Sequence, residues 1–525
     1  MARSSFTSTP AGLSRRRLLA GTGGIVAGAA VGALAGCGDA GGGDGGTGSG
    51  DGGVPEAGMR IPDSKVALPK DDVQFRLMDS NDTKAPFWEE FFTAYQEKHS
   101  NIECTYDGLP WNRIEEVAPL GIRNGTAHDV LQLPPTIPLT QAVAEGWVSP
   151  VDDLIPDFDA WKASFPEGTF VEGVQVFDDK LYSVPLASDR RYISALHYST
   201  ELMGDAGYDP QAKPLTWDDY RDAAKKITKN GRGRAYGLVL EIGQPPRLTG
   251  IVRYLAVSAG LAAVGDFDPK TGEYIYDADE IAGAIELLMA LQSDGSIFPG
   301  SASLTAPESW PRVVRGNAGT VFAGPWVTVA WNTQEPDFEF GVAEVPMDGS
   351  NPKPQGYALT GTDGVVVFSK SKVKEVAGDV LSYVTSMAGQ TAWGKIVGVG
   401  NPPILEGANK AIESGLSREA TMCQKLAAGM VAAPNLLVGN PDIELVNREL
   451  KPLSPDFGQI IQSALVGKTP DVKEALRDLK DRAMRTRDQA IAAAVKKGAK
   501  VSTDDWAFPN WDPFKDYTSE DYQAR

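Results

Sequence analysis

Apolar and polar positions alternate along the chain in a way that predicts strands and helices in turn. Strands are predicted at 73–78, 102–106 and 130–133, and a helix at 86–98, where aromatic residues recur every fourth position. The polar residues 79–82, between the first strand and this helix, predict a turn. Strand–helix–strand units of this length are typical of a largely parallel sheet with flanking helices, so the predicted fold class is α/β.

The same alternation continues toward the end of the chain. It predicts strands at 181–185, 319–323 and 365–368 and a long amphipathic helix at 470–497. Thr216 is followed by acidic residues and then by apolar residues at helical spacing, which is typical of a capped helix start. The sequence therefore predicts α/β structure well beyond the first sheet.

The first 53 residues have the composition of a targeting segment rather than of a folded domain. Three consecutive Arg precede an apolar, Gly/Ala-rich run over 18–34, and Cys37 follows in the sequence Leu-Ala-Gly-Cys. This order resembles a twin-arginine export signal joined to a bacterial lipobox, which implies a signal peptide at 1–36 and a lipid on Cys37. The Gly-rich stretch that follows has no side chains able to build a core and predicts a flexible tether within 37–69.

Two other interpretations of this segment stay open, a transmembrane anchor and ordinary secretion. The run over 18–34 is short for a membrane span and rich in Gly, which weakens its apolar burial. An ordinary secretory signal would not need Cys37 at its position. The lipoprotein interpretation predicts a location at the outer face of the cytoplasmic membrane, held by lipid.

Composition narrows the class of partner. The formal net charge is −19 at pH 7, which disfavours nucleic acid and anionic lipid headgroups as partners. The same charge suits a neutral sugar or a cation and argues against an anionic ligand. Eleven Trp residues favour stacking on sugar rings or other flat faces. Cys104 and Cys423 give no spacing argument for a disulfide, and a buried free thiol is expected at Cys104.

Residue patterns for catalysis are absent from the sequence. The three His residues have no metal-ligand spacing, and no Gly-x-Ser-x-Gly turn, phosphate-binding loop or Cys/His arrangement is present. The acidic segment 266–272 predicts a hairpin turn rather than a calcium loop, because it lacks the third oxygen ligand and the closing Glu. We therefore predict no catalytic residue, no metal and no cofactor.

A series of short motifs occurs in the order found in one known family, at 123–130, 145–152, 180–185, 215–220 and 324–326, behind the lipobox. With them, nearly all of the chain after the tether resembles the family 1 extracellular solute-binding proteins of ATP-binding-cassette importers, whose best-known members bind maltose and other oligosaccharides. The resemblance implies a periplasmic-binding-protein-like fold of type II. In that fold two discontinuous α/β lobes are joined by a multi-strand hinge, and the ligand lies in the cleft between them.

Carried over to this chain, the resemblance implies a set of segment boundaries. The first lobe takes 70–186 and returns at 356–405, the second lobe takes 187–355, and C-terminal helices over 406–525 pack on both lobes. Several chain crossings of this kind make a hinge, and a ligand that bridges the lobes favours the closed state.

Two Trp residues are the leading ligand-binding candidates, because sugar rings are recognised by flat aromatic faces together with planar polar groups. Trp326 follows Gly-Pro at the end of the strand at 319–323, where the family places an aromatic ligand contact. The alternative for Trp326 is a core position. Trp111 lies in a loop after a strand, where binding and a fixed structural position are equally open.

Polar candidates lie at the first predicted crossing and at strand ends. Asp189, Arg190 and Tyr192 follow that crossing, and the charged pair could grip hydroxyl groups or form a hinge ion pair. Asn81 follows the first strand and could face the cleft, with plain turn chemistry as its alternative. The weaker candidates are Gln132, Glu241, Tyr357 and Asp363.

The sequence thus predicts a monomeric, lipid-anchored receptor that captures a carbohydrate and delivers it to the permease subunits of an importer. Two other classes stay open. One is a lipid-anchored glycosidase or lyase, since any two acids across a cleft could act as general acid and base. The other is a binding protein for a non-sugar solute or for a sensor kinase.

Overall fold

The computed structural model of the protein describes residues 59–80, 84–134, 136–349, 351–361 and 364–525, with the side chain of Asn112 left out. The predicted signal peptide, Cys37 and most of the tether lie outside the described residues, as do the candidates Asn81 and Asp363. Within the described part of the chain, no helix combines the length and the apolar character needed to cross a bilayer.

The elements follow one another in four groups. The first group is β1 (Val73–Ser80), α1 (Ala85–Lys98), β2 (Ile102–Leu109), α2 (Trp111–Asn124), β3 (Val130–Gln132), α3 (Leu139–Ala144), β4 (Val148–Ser149), α4 (Phe158–Lys162), β5 (Val176–Phe177), β6 (Lys180–Leu181) and β7 (Ser183–Val184). The second group is β8 (Ala195–Ser199), α5 (Thr200–Asp205), α6 (Trp217–Gly231), β9 (Tyr236–Leu238), α7 (Pro245–Ser258), β10 (Phe267–Asp268), β11 (Glu273–Tyr274), α8 (Asp279–Ser293), α9 (Ala306–Val314), β12 (Ala318–Ala323), α10 (Pro325–Gln334) and β13 (Phe340–Ala343).

The chain then returns to the first sheet and ends in helices. The third group is β14 (Gly356–Tyr357), β15 (Val365–Phe368), α11 (Lys374–Val384) and α12 (Met387–Ile396). The last group is α13 (Glu406–Ile412), α14 (Arg418–Ala428), β16 (Val431–Ala432), α15 (Leu436–Gly439), α16 (Ile443–Glu449), α17 (Phe457–Leu465), α18 (Val472–Lys496) and α19 (Ser519–Gln523). Short 3₁₀ helices lie at Pro299–Ser303, Gly398–Gly400, Glu413–Gly415 and Thr503–Trp506.

The first lobe is built on a six-stranded sheet of order β2-β1-β3-β15-β4, with β7 also paired to β15. Strands β1, β2 and β3 are parallel, and the returning strand β15 runs antiparallel to its neighbours. Helix α1 covers one face with buried aromatic side chains spaced along a single stripe. Together with α11 and α12 these side chains form the core of the lobe. We use "first lobe" for this sheet with α1–α4 and α11–α13.

The second lobe is built on a four-stranded sheet of order β13-β8-β12-β9. Strands β9 and β12 are parallel, and β8 runs antiparallel to β12 and β13. One core joins this sheet to α6, α7, α8, α17 and α18. A second core lies under α9, α10 and α14. We use "second lobe" for this sheet with the helices that pack on it.

Most of the predicted elements are confirmed. Strands occur at the places predicted by the alternation, 73–78, 102–106, 130–133, 319–323 and 365–368, and helices at 86–98 and 470–497. Thr216 caps α6 with a capping box that involves Asp219. The acidic segment at 266–272 forms the antiparallel hairpin β10–β11, as predicted.

Two local predictions are wrong. The segment 181–185 is not one strand, because β6 pairs with β5 whereas β7 pairs with β15, and the chain changes partner at Tyr182. The polar residues Asp79 and Ser80 belong to the end of β1 and are buried, so the turn does not begin at residue 79.

Cys104 and Cys423 are both free thiols. Cys104 lies half-buried on β2 of the first lobe, and Cys423 is buried on α14. Burial raises the pKa of each thiol to about 12, which keeps both in the unreactive protonated form. The two Cys therefore act as small packing residues, and stability rests on core packing.

Arg190 holds the junction between the lobes. It lies on the crossing from β7 to β8, and its guanidinium donates hydrogen bonds to the backbone carbonyls of Ala427, Ala428 and Met430 at distances of 3.0, 2.8 and 3.2 Å. The same guanidinium stands 5.4 Å from the ring centre of Tyr357, on the crossing from β13 to β15. One side chain thus joins two crossings to the end of α14.

A buried ion pair lies where β1 meets α1. Lys84 Nζ stands 2.7 Å from Asp79 Oδ1, and both side chains are fully buried. Trp88 Nε1 donates to the other carboxylate oxygen at 3.4 Å. Because both charges are out of water, their mutual attraction offsets part of the cost of burying them.

We expect Asp79→Ala to lower the free energy of unfolding by about 3–5 kcal/mol, because it removes the buried carboxylate that lies 2.7 Å from the Lys84 ammonium. Denaturant unfolding of the two proteins measures the difference. The control is Lys65→Ala, which removes an exposed pair with Asp157 and should leave stability nearly unchanged. Equal stability of Asp79→Ala and the parent would contradict this account of the pair.

We expect Arg190→Met to lower the free energy of unfolding by roughly 2 kcal/mol, since it keeps the apolar stem and removes charge-assisted hydrogen bonds to three carbonyls. The matched control is Arg477→Met on the exposed face of α18. If both variants unfold at the parent's denaturant concentration, Arg190 does not hold the junction.

Candidate ligand-binding cleft

The carboxyl ends of the parallel strands in both sheets face the chain crossings. In the first lobe β3 ends at Gln132, which pairs with Val365, the first residue of β15. In the second lobe β12 ends at Ala323, which pairs with Ala195, the first residue of β8. The crossings leave from these two edges. Ligands of open α/β sheets bind at such carboxyl edges, so the space between the two edges is the candidate cleft.

Trp326 lies at this edge of the second lobe. It is the second residue of α10, directly after β12, and its side chain is half-buried. Its ring folds back on Gly324, where a Cβ atom would stand 2.3 Å from the indole. Glycine is therefore required at 324 to let the ring adopt this position.

Two guanidinium groups stand beside the Trp326 ring. The Cζ of Arg247 is 5.6 Å and that of Arg191 is 5.9 Å from the ring centre, distances at which cation–π attraction is significant. Arg191 also donates to the carbonyl of Gly400 at 3.3 Å and to the side chain of Asn401. The crossing from β7 to β8, which we call the first crossing, and helix α7 thus each place a guanidinium beside the Trp326 indole.

Glu241 lies close to this group but is buried. It follows β9, has no exposed surface, and accepts a hydrogen bond of 2.7 Å from the hydroxyl of Ser309. Its Oε2 has no hydrogen-bond partner. Burial raises the pKa of the Glu241 carboxyl, and the nearby Arg247 charge opposes that rise. The Glu241 carboxylate is therefore buried and is not presented at the surface of the candidate cleft.

Tyr192 and Asp189 lie on the first crossing. The Tyr192 ring packs edge-on against Tyr254 at 4.8 Å, between the two cores of the second lobe, and burial raises the pKa of its hydroxyl. Asp189 is half-buried and borders a cavity of about 190 Å³ together with Tyr357. Tyr192 therefore has a packing position, whereas Asp189 is one of the residues that line a cavity.

The remaining described candidates differ in exposure. Gln132 is buried at the end of β3 and accepts from the backbone N–H of Ser80 at 3.3 Å. Trp111 begins α2 at the carboxyl end of β2 and is 41% exposed, which is high for an indole. Trp111 and Trp326 thus lie on carboxyl edges of different lobes.

The structure brings some of the candidates together and separates others. Arg190, Tyr357 and Asp189 meet at the hinge, where Arg190 is occupied with carbonyls. Sequence reasoning missed Arg191 and Arg247, the two cations beside Trp326. The available signal for Arg247 was its place after the two Pro residues that open α7, a few residues after the end of β9.

A cavity of about 610 Å³ adjoins this group, within the size range of small-ligand sites. It lies between α13 of the first lobe and α14 of the second, against the first crossing and Pro325. Its charged lining residues are Arg190, Arg191, Lys410, Lys425, Glu406 and Glu413. Among the described residues, no three His, Cys, Asp or Glu side chains converge in a way that could hold a metal ion.

Three solved structures share this fold at low sequence identity. The GacH receptor of Streptomyces glaucescens, solved free and with acarbose, is 17% identical with a TM-score of 0.58, and the match covers 79% of this chain and 98% of that one. A solute-binding protein of Thermotoga lettingae, bound with α-D-tagatose, is 18% identical with a TM-score of 0.59, covering 80% and 100%. The cyclic α-maltosyl-1,6-maltose binding protein of Arthrobacter globiformis is 21% identical with a TM-score of 0.51, covering 81% and 99%.

These similarities confirm the type II, two-lobe α/β fold that the motifs implied. No curated protein matches the sequence. A family model described as bacterial extracellular solute-binding protein matches residues 90–418, and this description confirms the predicted class, a binding protein rather than an enzyme. Because that match spans more than half of the chain, the protein belongs to the bacterial extracellular solute-binding family.

Proposed function

We propose that this protein is a lipid-anchored receptor that captures a carbohydrate between its lobes and delivers it to the permease of an ATP-binding-cassette importer. The observation that carries the proposal is the position of Trp326. A half-buried indole stands at the carboxyl edge of the second sheet, next to the first crossing, where a ring can bridge the lobes. Indole faces suit the C–H side of sugar rings.

The similar structures support a carbohydrate ligand. Acarbose, α-D-tagatose and a cyclic maltosyl-maltose are the named ligands of proteins that share this fold. The cavity of about 610 Å³ beside Arg191 and Pro325 has room for a ligand of that kind. Binding to both lobes would favour the closed arrangement by the difference in affinity between the two states, and the permease would recognise the closed shape.

The lobe boundaries remain part of the proposal. We propose that 70–186 with 356–405 form the body of the first lobe and 187–355 the body of the second, and that the helices of 406–525 pack on both bodies. The segment pattern of the N-terminal residues supports removal of 1–36 and attachment of a lipid at Cys37. We propose that the receptor works as a monomer at the outer face of the cytoplasmic membrane.

We expect a panel of mono- and oligosaccharides to contain a ligand that raises the stability of the mature protein by about 2.7 kcal/mol at a hundredfold excess over its dissociation constant. Trp326→Ala should abolish this stabilisation while the protein stays folded, because the ring lies at an open edge. Thermal unfolding of both proteins with each sugar, with product analysis of every mixture, makes the measurement.

Trp331→Ala is the matched control for Trp326→Ala. Trp331 is on the same helix α10 but is buried against Phe338 and Phe340, so its loss should cost about 3–5 kcal/mol of stability and leave sugar affinity unchanged. Cleavage of a bound sugar would make the protein an enzyme. No shift with any sugar would contradict the carbohydrate proposal.

We expect the full-length protein to partition with membranes in its bacterial host and Cys37→Ser to move it to the soluble fraction, because the thiol that would carry the lipid is removed. Replacement of Ser49 in the tether by Thr is the control and should leave membrane partitioning intact. Membrane-bound Cys37→Ser protein would rule out Cys37 as the anchor.

A further inference from the structure

Arg247 carries a positive charge at the candidate cleft without a carboxylate in contact. It lies in the first turn of α7, is half-buried, and stands 5.6 Å from the ring centre of Trp326. One terminal nitrogen donates to the carbonyl of Phe322 at 3.3 Å, a weak hydrogen bond. Its Nε is buried without a partner. In the described part of the chain, no Asp or Glu oxygen lies within 4.0 Å of this guanidinium.

Arg247 differs in this from two other half-buried Arg residues of the second lobe. Arg221 on α6 pairs with Asp294, and Arg253 on α7 pairs with Asp266. The charge of Arg247 acts on Glu241, but that carboxyl is fully buried and hydrogen-bonded to Ser309. The Nε of Arg247 is buried, so its terminal N–H groups are the donors that remain for a group outside the chain.

Two helix ends reinforce the positive charge at this place. Helices α7 and α10 both begin here, beside Arg247 and Trp326, and neither has an acidic residue in its first turn or a capping side-chain hydrogen bond. Helix N-termini carry partial positive charge. The cavity of about 610 Å³ is bordered by Arg191 and Pro325 rather than by Arg247 or Trp326, and four cationic and two acidic side chains line it.

We propose that the carbohydrate bound here carries a carboxylate, as uronic acids do, and that Arg247 receives that carboxylate beside Trp326. The inference rests on the proposed function and specifies its ligand class. A guanidinium fork matches a carboxylate in shape and charge, and a half-buried one binds it more strongly than a hydroxyl. The net charge of −19 had favoured a neutral ligand, but the local arrangement at this edge is cationic.

The test compares sugars in pairs that differ only in charge. Glucose with glucuronate, galactose with galacturonate, mannose with mannuronate, and oligogalacturonates with their methyl esters are titrated into the mature protein by calorimetry. We expect the tightest ligand to be an acidic member that binds at least tenfold more tightly than its neutral partner. That preference should shrink as salt is raised, because the charges at this edge are partly exposed to solvent.

Variants of Arg247 assign the preference to its guanidinium. Arg247→Gln should lower the preference for the acidic sugar over its neutral partner roughly tenfold to a hundredfold, whereas Arg247→Lys should restore part of that preference. Arg477→Gln, the same change of charge on the exposed face of α18, is the control and should alter neither affinity.

The outcomes separate this inference from the proposed function. Tight binding of neutral sugars without preference for the acidic members, or an equal loss for both members in Arg247→Gln, would overturn the carboxylate inference and leave the carbohydrate receptor standing. Binding of none of the sugars, neutral or acidic, would overturn both.

Discussion

The guanidinium of Arg190 lies at the point on which the two-lobe arrangement depends. It hydrogen-bonds to the last turn of α14 and to Met430 beyond it, and it stacks on Tyr357, so the two crossings and the C-terminal segment meet on one side chain. The short parallel pair of β14 with β16 joins the same two segments through the backbone. A junction built from a few directional contacts can bend while the packed cores on either side stay rigid.

The neighbouring residues Arg190 and Arg191 on the first crossing make contacts with different parts of the structure. Arg190 is directed to the carbonyls of the C-terminal segment, whereas Arg191 reaches Trp326 and Asn401. The crossing therefore connects the mechanical junction directly to the edge where a ligand would bind. A ligand that contacts Trp326 would also act on the segment that sets the angle between the lobes, which gives binding a physical route to closure.

Charge is distributed unevenly between the surface and this edge. The chain is acidic overall, which suits a protein that must stay soluble outside the cell. Around Trp326 the local charge is positive, because two guanidinium groups and two helix N-termini lie close together. The net charge of the chain thus bears on its solubility. The local charge around Trp326 bears on which ligand is attracted.

The sequence predicted the fold class and the main strands because hydrophobic periodicity is a local property, as in α1 with its aromatic stripe. It also predicted where Trp326 lies, because this residue comes directly after the end of a strand. It missed Arg247 and Arg191 because their significance depends on contacts between segments far apart in the chain. It misjudged Asp79, because a charged residue is expected at the surface unless its partner, here Lys84, is known.

A sugar that bridges the two lobes should close them about the Arg190 junction. Small-angle X-ray scattering of the mature protein, alone and saturated with the sugar that stabilises it most, tests this directly. We predict a smaller radius of gyration with the sugar, and the same radius for Trp326→Ala with and without it. A bound sugar that leaves the radius of the parent protein unchanged would contradict closure as the response to ligand.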